Sequence, residues 1–385
     1  MLDIHFKVCN MAWSSIIGQE RVKSLLKKTL QESRIANSYL FFGIDGIGKE
    51  ALALEFAKAM NCNKQGDEAC DECESCVEAN LLRHPDIQLI FALPLGDDEK
   101  SGDDPITSLS KAQIEEIREQ IQLKAKDPYF HIEVRKANFI KINSIREVKR
   151  QAALTTRKNG KKVFIIFDAH KMNPEASNSL LKILEEPLSD TVFILTTSKK
   201  EQLLPTIISR TQMIRCDPLK EEEIAYALLE RDGVDEPTAR LVAKLSNGSY
   251  SHARHFCNGK LMEIRNSVTD FMKLVLSKNR KSLIEKIEDL IAENERSEIR
   301  EWLIVLESWL RDAMLLQQKH NLDLPEVMQK DLESFIKNFP NANLVNSINA
   351  VEKSIAHLDK NVYLQLIVIN LAFELRRNIM ETVVA

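Results

Sequence analysis

Three groups of residues in this chain have types and spacings that could do chemistry. The first is Gly43-Ile44-Asp45-Gly46-Ile47-Gly48-Lys49-Glu50, set between the apolar run Tyr39-Leu40-Phe41-Phe42 and the helix-like run from Ala51 to Met60. Glycines at 43, 46 and 48 let successive backbone N–H groups turn inward, a helix N-terminus adds partial positive charge, and Lys49 can reach terminal phosphates. The G-x-x-x-x-G-K spacing is that of a phosphate cradle for a nucleotide such as ATP. A Ser or Thr hydroxyl should come next as a magnesium ligand, but Glu50 stands there, and its carboxylate would crowd anionic phosphates. The site is either retired or binds ATP and magnesium abnormally.

Nucleotide hydrolysis also needs a buried strand that ends in a metal-holding acid, often followed by a carboxylate that activates water. The run Lys162 to Asp168 is such a strand and ends in Asp168, but Ala169 occupies the position of the second carboxylate. The two absences agree, so hydrolysis is not expected even if a nucleotide lodges there. His170 could substitute as a base, although a surface or capping histidine is the plainer reading.

The second group is Cys62, Cys70, Cys73 and Cys76, spaced C-x7-C-x2-C-x2-C among Asp67, Glu68, Asp71, Glu72 and Glu74. In a reducing cytoplasm this pattern is a metal site before it is a disulfide pair. Tight C-x2-C turns with a fourth thiolate to close a tetrahedron suit structural Zn2+, with no open position for catalysis. A ferredoxin-type cluster would want a further Cys near Asn80 followed by Pro, and neither is present. Third is Arg210, in Leu204-Pro205-Thr206-Ile207-Ile208-Ser209-Arg210-Thr211. It could be simply solvated, or it could reach a neighbouring subunit's phosphate site as an arginine finger acting in trans.

The elements that must position these groups alternate in type. Gln19 to Ser33 reads as an amphipathic helix, followed by strand Ser38 to Phe42, the phosphate loop with its helix, and strand Ile87 to Phe91. Helix Ile142 to Thr156, strand Lys162 to Asp168, helix Pro174 to Glu186 ending at Pro187, strand Thr191 to Thr197 and strand Gln212 to Cys216 complete an α/β pattern. It predicts a parallel sheet with the site at the strands' C-terminal ends. Residues 94–138 interrupt the pattern: the first half, with Asp97, Asp98, Glu99, Asp103 and Asp104, reads as a mobile excursion, a short helix from Ser110 to Ala125 follows, and the whole reads as a surface insertion without chemistry, with a partner-docking element as the alternative. Beyond Pro218, three short helices (221–231, 236–245 and 250–257) precede a long helical tail. There Ile299, Trp302, Leu303, Leu306, Trp309, Leu310, Ala313 and Met314 form an apolar stripe read as core, in a part that could also be an assembly platform.

A chain of 385 residues with 44% apolar and 29% charged content fits roughly two or three globular domains. No apolar run approaches the roughly 18 residues of a membrane span, and Met1 to Asn10 lacks a secretory apolar region, so a cytoplasmic protein without membrane contact is expected. Met11 is a candidate true start, which N-terminal sequencing of the native protein would decide. A net charge of −4 gives no global attraction to nucleic acid, and there is no basic helix or aromatic platform to read bases.

Taken together, Ile17-Gly18-Gln19, the phosphate loop, the four-cysteine module, His84-Pro85-Asp86, the run from Ala176 to Pro187 (ASNSLLKILEEP) and Ile208-Ser209-Arg210 resemble the bacterial clamp-loader branch of the AAA+ family. Ser308-Trp309-Leu310-Arg311-Asp312 and Leu358-Asp359-Lys360-Asn361-Val362 extend the resemblance to the C-terminal region. It implies an AAA+ P-loop domain over 1–217, with the zinc module at 62–76 and the insertion at 94–138. A helical lid over 218–258 and an all-α collar for oligomerisation over 259–385 would follow. The resemblance further implies gamma/tau and delta-like subunits of a hetero-oligomer as partners, with the sliding clamp and primed DNA reached through the complex. Motor subunits of that branch would carry Thr or Ser at Glu50, Glu at Ala169 and Arg near Ser251, whereas Ser209-Arg210 keeps the finger motif with Thr211 in place of Cys. A chain that keeps the part serving a neighbour and loses the parts serving itself implies a non-hydrolysing subunit of the DNA polymerase III clamp loader. The rivals are an active motor ATPase, which turnover by the isolated chain would reveal, and a scaffold that works through its collar alone.

Overall fold

A computed structural model describes residues 12–96, 99–100, 102–154, 156, 160–186, 190–257, 260–319, 326–359 and 362–380. The start-codon question at Met1 and Met11, the helix end expected at Pro187, and Asp97 and Asp98 all fall outside them. The chain folds as two compact units, one of residues 1–233 and 246–252 and another of 234–245 and 253–385, a division that cuts through the lid expected at 218–258.

The first unit is built on five parallel strands, β1 (Ser38–Phe42), β2 (Ile87–Ile90), β3 (Lys162–Ile166), β4 (Thr191–Thr197) and β5 (Gln212–Arg215), in the order β2-β3-β4-β1-β5. Ser38 pairs with Phe193 and Tyr39 with Gln212, so β1 lies between β4 and β5, while Lys162 pairs with Thr191. Every residue of β3 and β4 is buried, which is why their sequences are continuous apolar or β-branched runs and do not alternate. Because all pairs are parallel, the C-terminal ends of β1, β3 and β4 emerge on one edge of the sheet.

Helices α1 (Glu20–Gln31), α2 (Lys49–Met60), α3 (Glu74–Asn80), α4 (Lys111–Lys126), α5 (Ile142–Ala152), α6 (Pro174–Glu185), α7 (Pro205–Ile208) and α8 (Glu221–Asp232) connect or flank the strands. Helix α2 is buried along most of its length from Lys49 to Ala59, charged Glu55 and Lys58 included. A helix buried all round has little amphipathic character, and its sequence, rich in Ala and Leu, fits that place. Asn173 caps α6 by accepting the Ala176 N–H, with Pro174 in the first helical position.

In the first half of the insertion, expected to be a mobile excursion, the described residue Glu99 is held in place. Glu99 is buried beside Lys141, with 2.6 Å between Oε2 and Nζ, and accepts from Asn143 Nδ2 at 2.8 Å. Lys141 Nζ also donates to the Pro94 and Pro105 carbonyls at 2.9 and 3.2 Å. Glu99 is thus held by a hydrogen-bonded ion pair with little solvent access, which the density of carboxylates around it conceals in the sequence.

The second unit is helical: α9 (Glu236–Leu245), the end of α10 (Tyr250–Cys257), α11 (Lys260–Leu276), α12 (Arg280–Glu293), α13 (Arg296–Gln317), α14 (Glu326–Asn338), α15 (Leu344–Asp359) and α16 (Leu364–Met380). The stripe on α13 is core from Ile299 to Ala313, as expected, and Met314 at its end is half-buried. Trp302 meets Phe271 edge-on at 4.9 Å and Trp309 meets Phe335 at the same separation. Buried Asp312 lies 3.4 Å from Arg265 and 3.6 Å from Lys244.

Removing one partner of a buried pair strands the other charge. Glu99→Ala is expected to lower unfolding free energy by about 3 kcal/mol, read by urea denaturation, and to open residues 99–110 to limited proteolysis. A loss below about 0.5 kcal/mol with unchanged cleavage would mean the pair does not anchor the insertion.

Candidate functional site: a glycine-rich loop and a four-cysteine module

The phosphate loop lies where the sequence predicts, between β1 and α2. Gly43 N–H donates to the Thr197 carbonyl at 3.3 Å, and the Gly46 carbonyl accepts from Tyr250 N–H at 3.0 Å. Gly46 and Gly48 have φ of +73° and +92°; a Cβ at Gly46 would collide with Ser249 Oγ, and one at Gly48 would come within 2.9 Å of the Tyr129 hydroxyl. Both positions therefore require glycine for conformation and for space. Lys49, buried, turns back on its own loop, donating to the Ile44 carbonyl at 2.6 Å with Asp45 Oδ1 3.7 Å away.

Glu50 sits in the first turn of α2, where partial positive charge favours a carboxylate. Its partners come from the insertion. Lys124 Nζ on α4 is hydrogen-bonded to Glu50 Oε2 and also donates to the carbonyls of Pro128 and Phe130 at 2.8 and 2.7 Å. His131 places Nδ1 3.7 Å from Glu50 Oε1 and Nε2 3.6 Å from Asp168 Oδ2. Asp168, in a left-handed conformation with φ 48°, also pairs with Lys171 at 2.9 Å. Tyr129 reaches over the loop, its hydroxyl accepting the Ile17 N–H at 2.8 Å and its ring edge-on to Tyr250 at 5.0 Å. Glu50 and Asp168 are thus brought together through His131, and Gly48 is covered by Tyr129.

The charges follow from this packing. Burial alone would raise the Glu50 carboxyl, but the charges of Lys124 and His131 outweigh it and hold it down at about 2. Contact with Glu50 raises the His131 imidazole above its ordinary range against opposing burial, with Asp168 adding to the effect and Lys171 subtracting from it. His170, the candidate substitute base, has Nδ1 3.0 Å from Thr197 Oγ1, and burial lowers its pKa.

Sequence reasoning missed Lys124, Tyr129 and His131, all in the stretch read as lacking chemistry. One signal was present: the run Asp127 to Val134 (DPYFHIEV) carries two aromatics and two β-branched residues between charged segments, too apolar for a solvated loop.

The four cysteines converge. All four sulfurs lie within 4.8 Å of one another, with 3.9 Å between Cys70 and Cys76. Cys70 N–H donates to Cys62 Sγ at 3.3 Å and Cys73 N–H to Cys70 Sγ at 3.4 Å. The Glu72 and Cys73 amides bring the Cys70 thiol down to about 6, whereas burial pushes Cys76 up. These four residues could hold a metal ion. The module starts directly after α2 and is fixed to it by Lys58, which pairs with Asp71 and, at 2.9 Å, with Glu55. Behind it Asp86 N–H donates to His84 Nδ1 at 3.1 Å, so Nε2 carries the proton toward Ser75 Oγ at 2.9 Å, and that hydroxyl donates to the Asn61 carbonyl at 2.5 Å.

Arg210 follows α7 on the same unit. Its Nη2 is 2.8 Å from Glu185 Oε1, Nη1 donates to the Thr206 carbonyl at 3.1 Å, and the side chain is 36% exposed.

The family model for the DNA polymerase III delta subunit matches residues 18–220, slightly more than half the chain, and spans the phosphate loop, the cysteine module and Arg210. The chain belongs to that family. Among its relatives, the DNA polymerase III subunit delta' of Bacillus subtilis is 33% identical over 229 residues, 60% of this chain and 56% of the relative. DNA polymerase III subunit tau of the same organism is 25% identical over 247 residues, 63% of this chain and 36% of the relative. The match therefore spans little more than half of the delta' relative's own length. A DNA polymerase III gamma subunit-related protein from Thermotoga maritima superposes with TM-score 0.36 at 18% identity, covering 93% of this chain and 98% of that one. At that score the likeness adds nothing to the fold already described. The match to the family model ends shortly before α8, so membership rests on the α/β region and its site.

The signs of the two shifts define a pH window. Glu50, depressed from 4.5, contributes stability that is present above pH 4.5 and lost as pH falls toward about 2. His131, raised above 6.5, contributes stability that is present below pH 6.5 and lost as pH rises through its folded value. Its side chain is half exposed, so His131→Ala is expected to cost about 0.5–1 kcal/mol at pH 5.5 and to become neutral by pH 9, read as the difference in urea midpoints. A cost independent of pH would show that the contact with Glu50 is not charge-dependent.

Proposed function

We propose that the chain acts as a non-hydrolysing, delta'-type subunit of the DNA polymerase III clamp loader. It assembles with gamma/tau and delta-like subunits and helps to place a sliding clamp on primed DNA. The observation that carries this reading is the pairing of a half-buried Glu50 with a buried Lys124 at the start of α2. Where a motor subunit needs a hydroxyl to hold magnesium, this chain holds a carboxylate already neutralised by an ammonium. Ala169, buried at the position of the water-activating carboxylate, supports the same reading.

The chain's own contribution is then electrostatics supplied to a neighbour. Among the described residues Arg210 has one exposed carboxylate partner, and exchanging that contact for the phosphates of an adjacent subunit's ATP costs little. Its guanidinium would stabilise charge on the transferring phosphoryl group, with bond breaking left to the neighbour. In this reading residues 1–217 form the AAA+ domain, 218–258 a lid and 259–385 a collar for assembly.

For the cysteine module we infer zinc. Thiolates at about 2.3 Å from a tetrahedral ion lie about 3.8 Å apart, and the 3.9 Å between Cys70 and Cys76 fits that spacing. Cys62, Cys70, Cys73 and Cys76 would fill its coordination and make the ion structural.

In the reconstituted loader, Arg210→Ala is expected to remove the neighbouring site's share of DNA-stimulated ATP turnover. A finger is worth about a thousandfold or more at its own site. Assembly, followed by gel filtration, should be unchanged; full turnover in the assembled variant would refute the role. For the module, elemental analysis is expected to find one zinc per chain, lost together with thermal stability in Cys73→Ser. Iron, or a metal-free native protein of equal stability, would exclude a zinc site.

A further inference from the structure

Segment 127–131 of the insertion packs over the glycine-rich loop: the Tyr129 hydroxyl lies against Gly48, His131 faces Glu50 and Asp168, and Lys124 just before it pairs with Glu50. Phosphates bound by a Gly-rich loop lie at the N-terminus of the following helix, against its amides and the loop lysine. Here the first turn of that helix carries the Glu50 carboxylate, and Lys49 is hydrogen-bonded to the Ile44 carbonyl. A divalent cation would neutralise such an anion from the outer side. The Lys124 ammonium does so, 1% exposed and held in place by two main-chain carbonyls. A purine joined to phosphates in that loop would need a flat slot and a main-chain donor for its ring nitrogen. The Tyr129 ring lies against Gly48 and Tyr250, and its hydroxyl takes the Ile17 N–H.

The geometry points to residues 127–131, with Lys124, as an internal occupant of the nucleotide site. Glu50 stands for the phosphate charge, Lys124 for the metal and the Tyr129 phenol for the base. Exclusion of nucleoside triphosphate then rests on the insertion as well as on the loss of a hydroxyl at position 50. This inference rests on the non-hydrolysing reading but separates from it: a retired loop needs only Glu50, whereas an occupied one stays closed when Glu50 is replaced.

The experiment titrates the full-length chain with N-methylanthraniloyl-ATP and magnesium, comparing wild type, Glu50→Thr, Tyr129→Ala and the double variant Glu50→Thr/Tyr129→Ala. Occupancy predicts that Glu50→Thr alone improves binding only marginally and that adding Tyr129→Ala tightens it by about tenfold or more over Glu50→Thr. Equal affinities for Glu50→Thr and the double variant would overturn the proposal, as would saturable binding by wild type with residues 127–131 still in place. Hydrogen exchange on the unmodified protein does not depend on the variants folding. The Ile17 amide should be protected without nucleotide and should exchange at least about tenfold faster in Tyr129→Phe, which loses only the acceptor. An Ile17 amide that exchanges as an open loop does in wild type also overturns it. Arg210→Ala in the assembled loader tests the parent reading through turnover, so each reading can fail without the other.

Discussion

The structure around the glycine-rich loop depends on one ion pair, a half-buried Glu50 with a buried Lys124. A carboxylate with little solvent access is costly unless it is neutralised and hydrogen-bonded, so Glu50 at the start of α2 requires a cation of comparable burial. Lys124 meets that need only if its other protons also find acceptors, and the chain supplies them by turning sharply after α4. Pro128 stops the helix, and Asp127 Oδ1 accepts the Tyr129 N–H at 2.9 Å, so that the carbonyls of 128 and 130 face the ammonium. Once the backbone is committed to that turn, Tyr129 and His131 have little choice of position. The carboxylate at the start of α2 and the turn after α4 thus hold each other, while Tyr129 adds contacts of its own to Gly48, Ile17 and Tyr250.

The same helix transmits a second constraint. At one end α2 carries Lys49 and Glu50; at the other it runs through Asn61 into Cys62. Lys58 near that end holds Asp71 of the cysteine loop, and Ser75 of the module donates to the Asn61 carbonyl. Because α2 is buried on every side, neither end can shift without disturbing core packing. The cysteine module and the phosphate loop are thus two ends of one rigid element, and a structural metal at one end would restrain the other.

Much of this was legible in the sequence, and what was not shares a cause. The strands β1, β3 and β4 are short apolar runs with no alternation, and runs of that kind in an α/β order have few other fates than a parallel sheet. Cys62, Cys70, Cys73 and Cys76 declared themselves by spacing, and Glu50 by standing where a hydroxyl belongs. Lys124, His131 and Glu99 did not, because a lysine, a histidine and a glutamate look the same in sequence whether solvated or buried. Their burial depends on partners 74 residues away for Lys124 and 42 for Glu99. Position and period locate apolar faces; the pairing of charges is a tertiary property.

Arg210 and Lys49 show how the same chemistry can be committed or held available. Lys49 is 6% exposed and its ammonium is hydrogen-bonded to its own loop, so an incoming anion would have to displace an internal contact. Arg210 is bound by a half-exposed Glu185 and one carbonyl, and exposed pairs of that kind contribute little because water screens both states. An anion brought by another molecule therefore competes on nearly equal terms for Arg210 and at a severe disadvantage for Lys49. The asymmetry follows from the difference in burial between the two side chains.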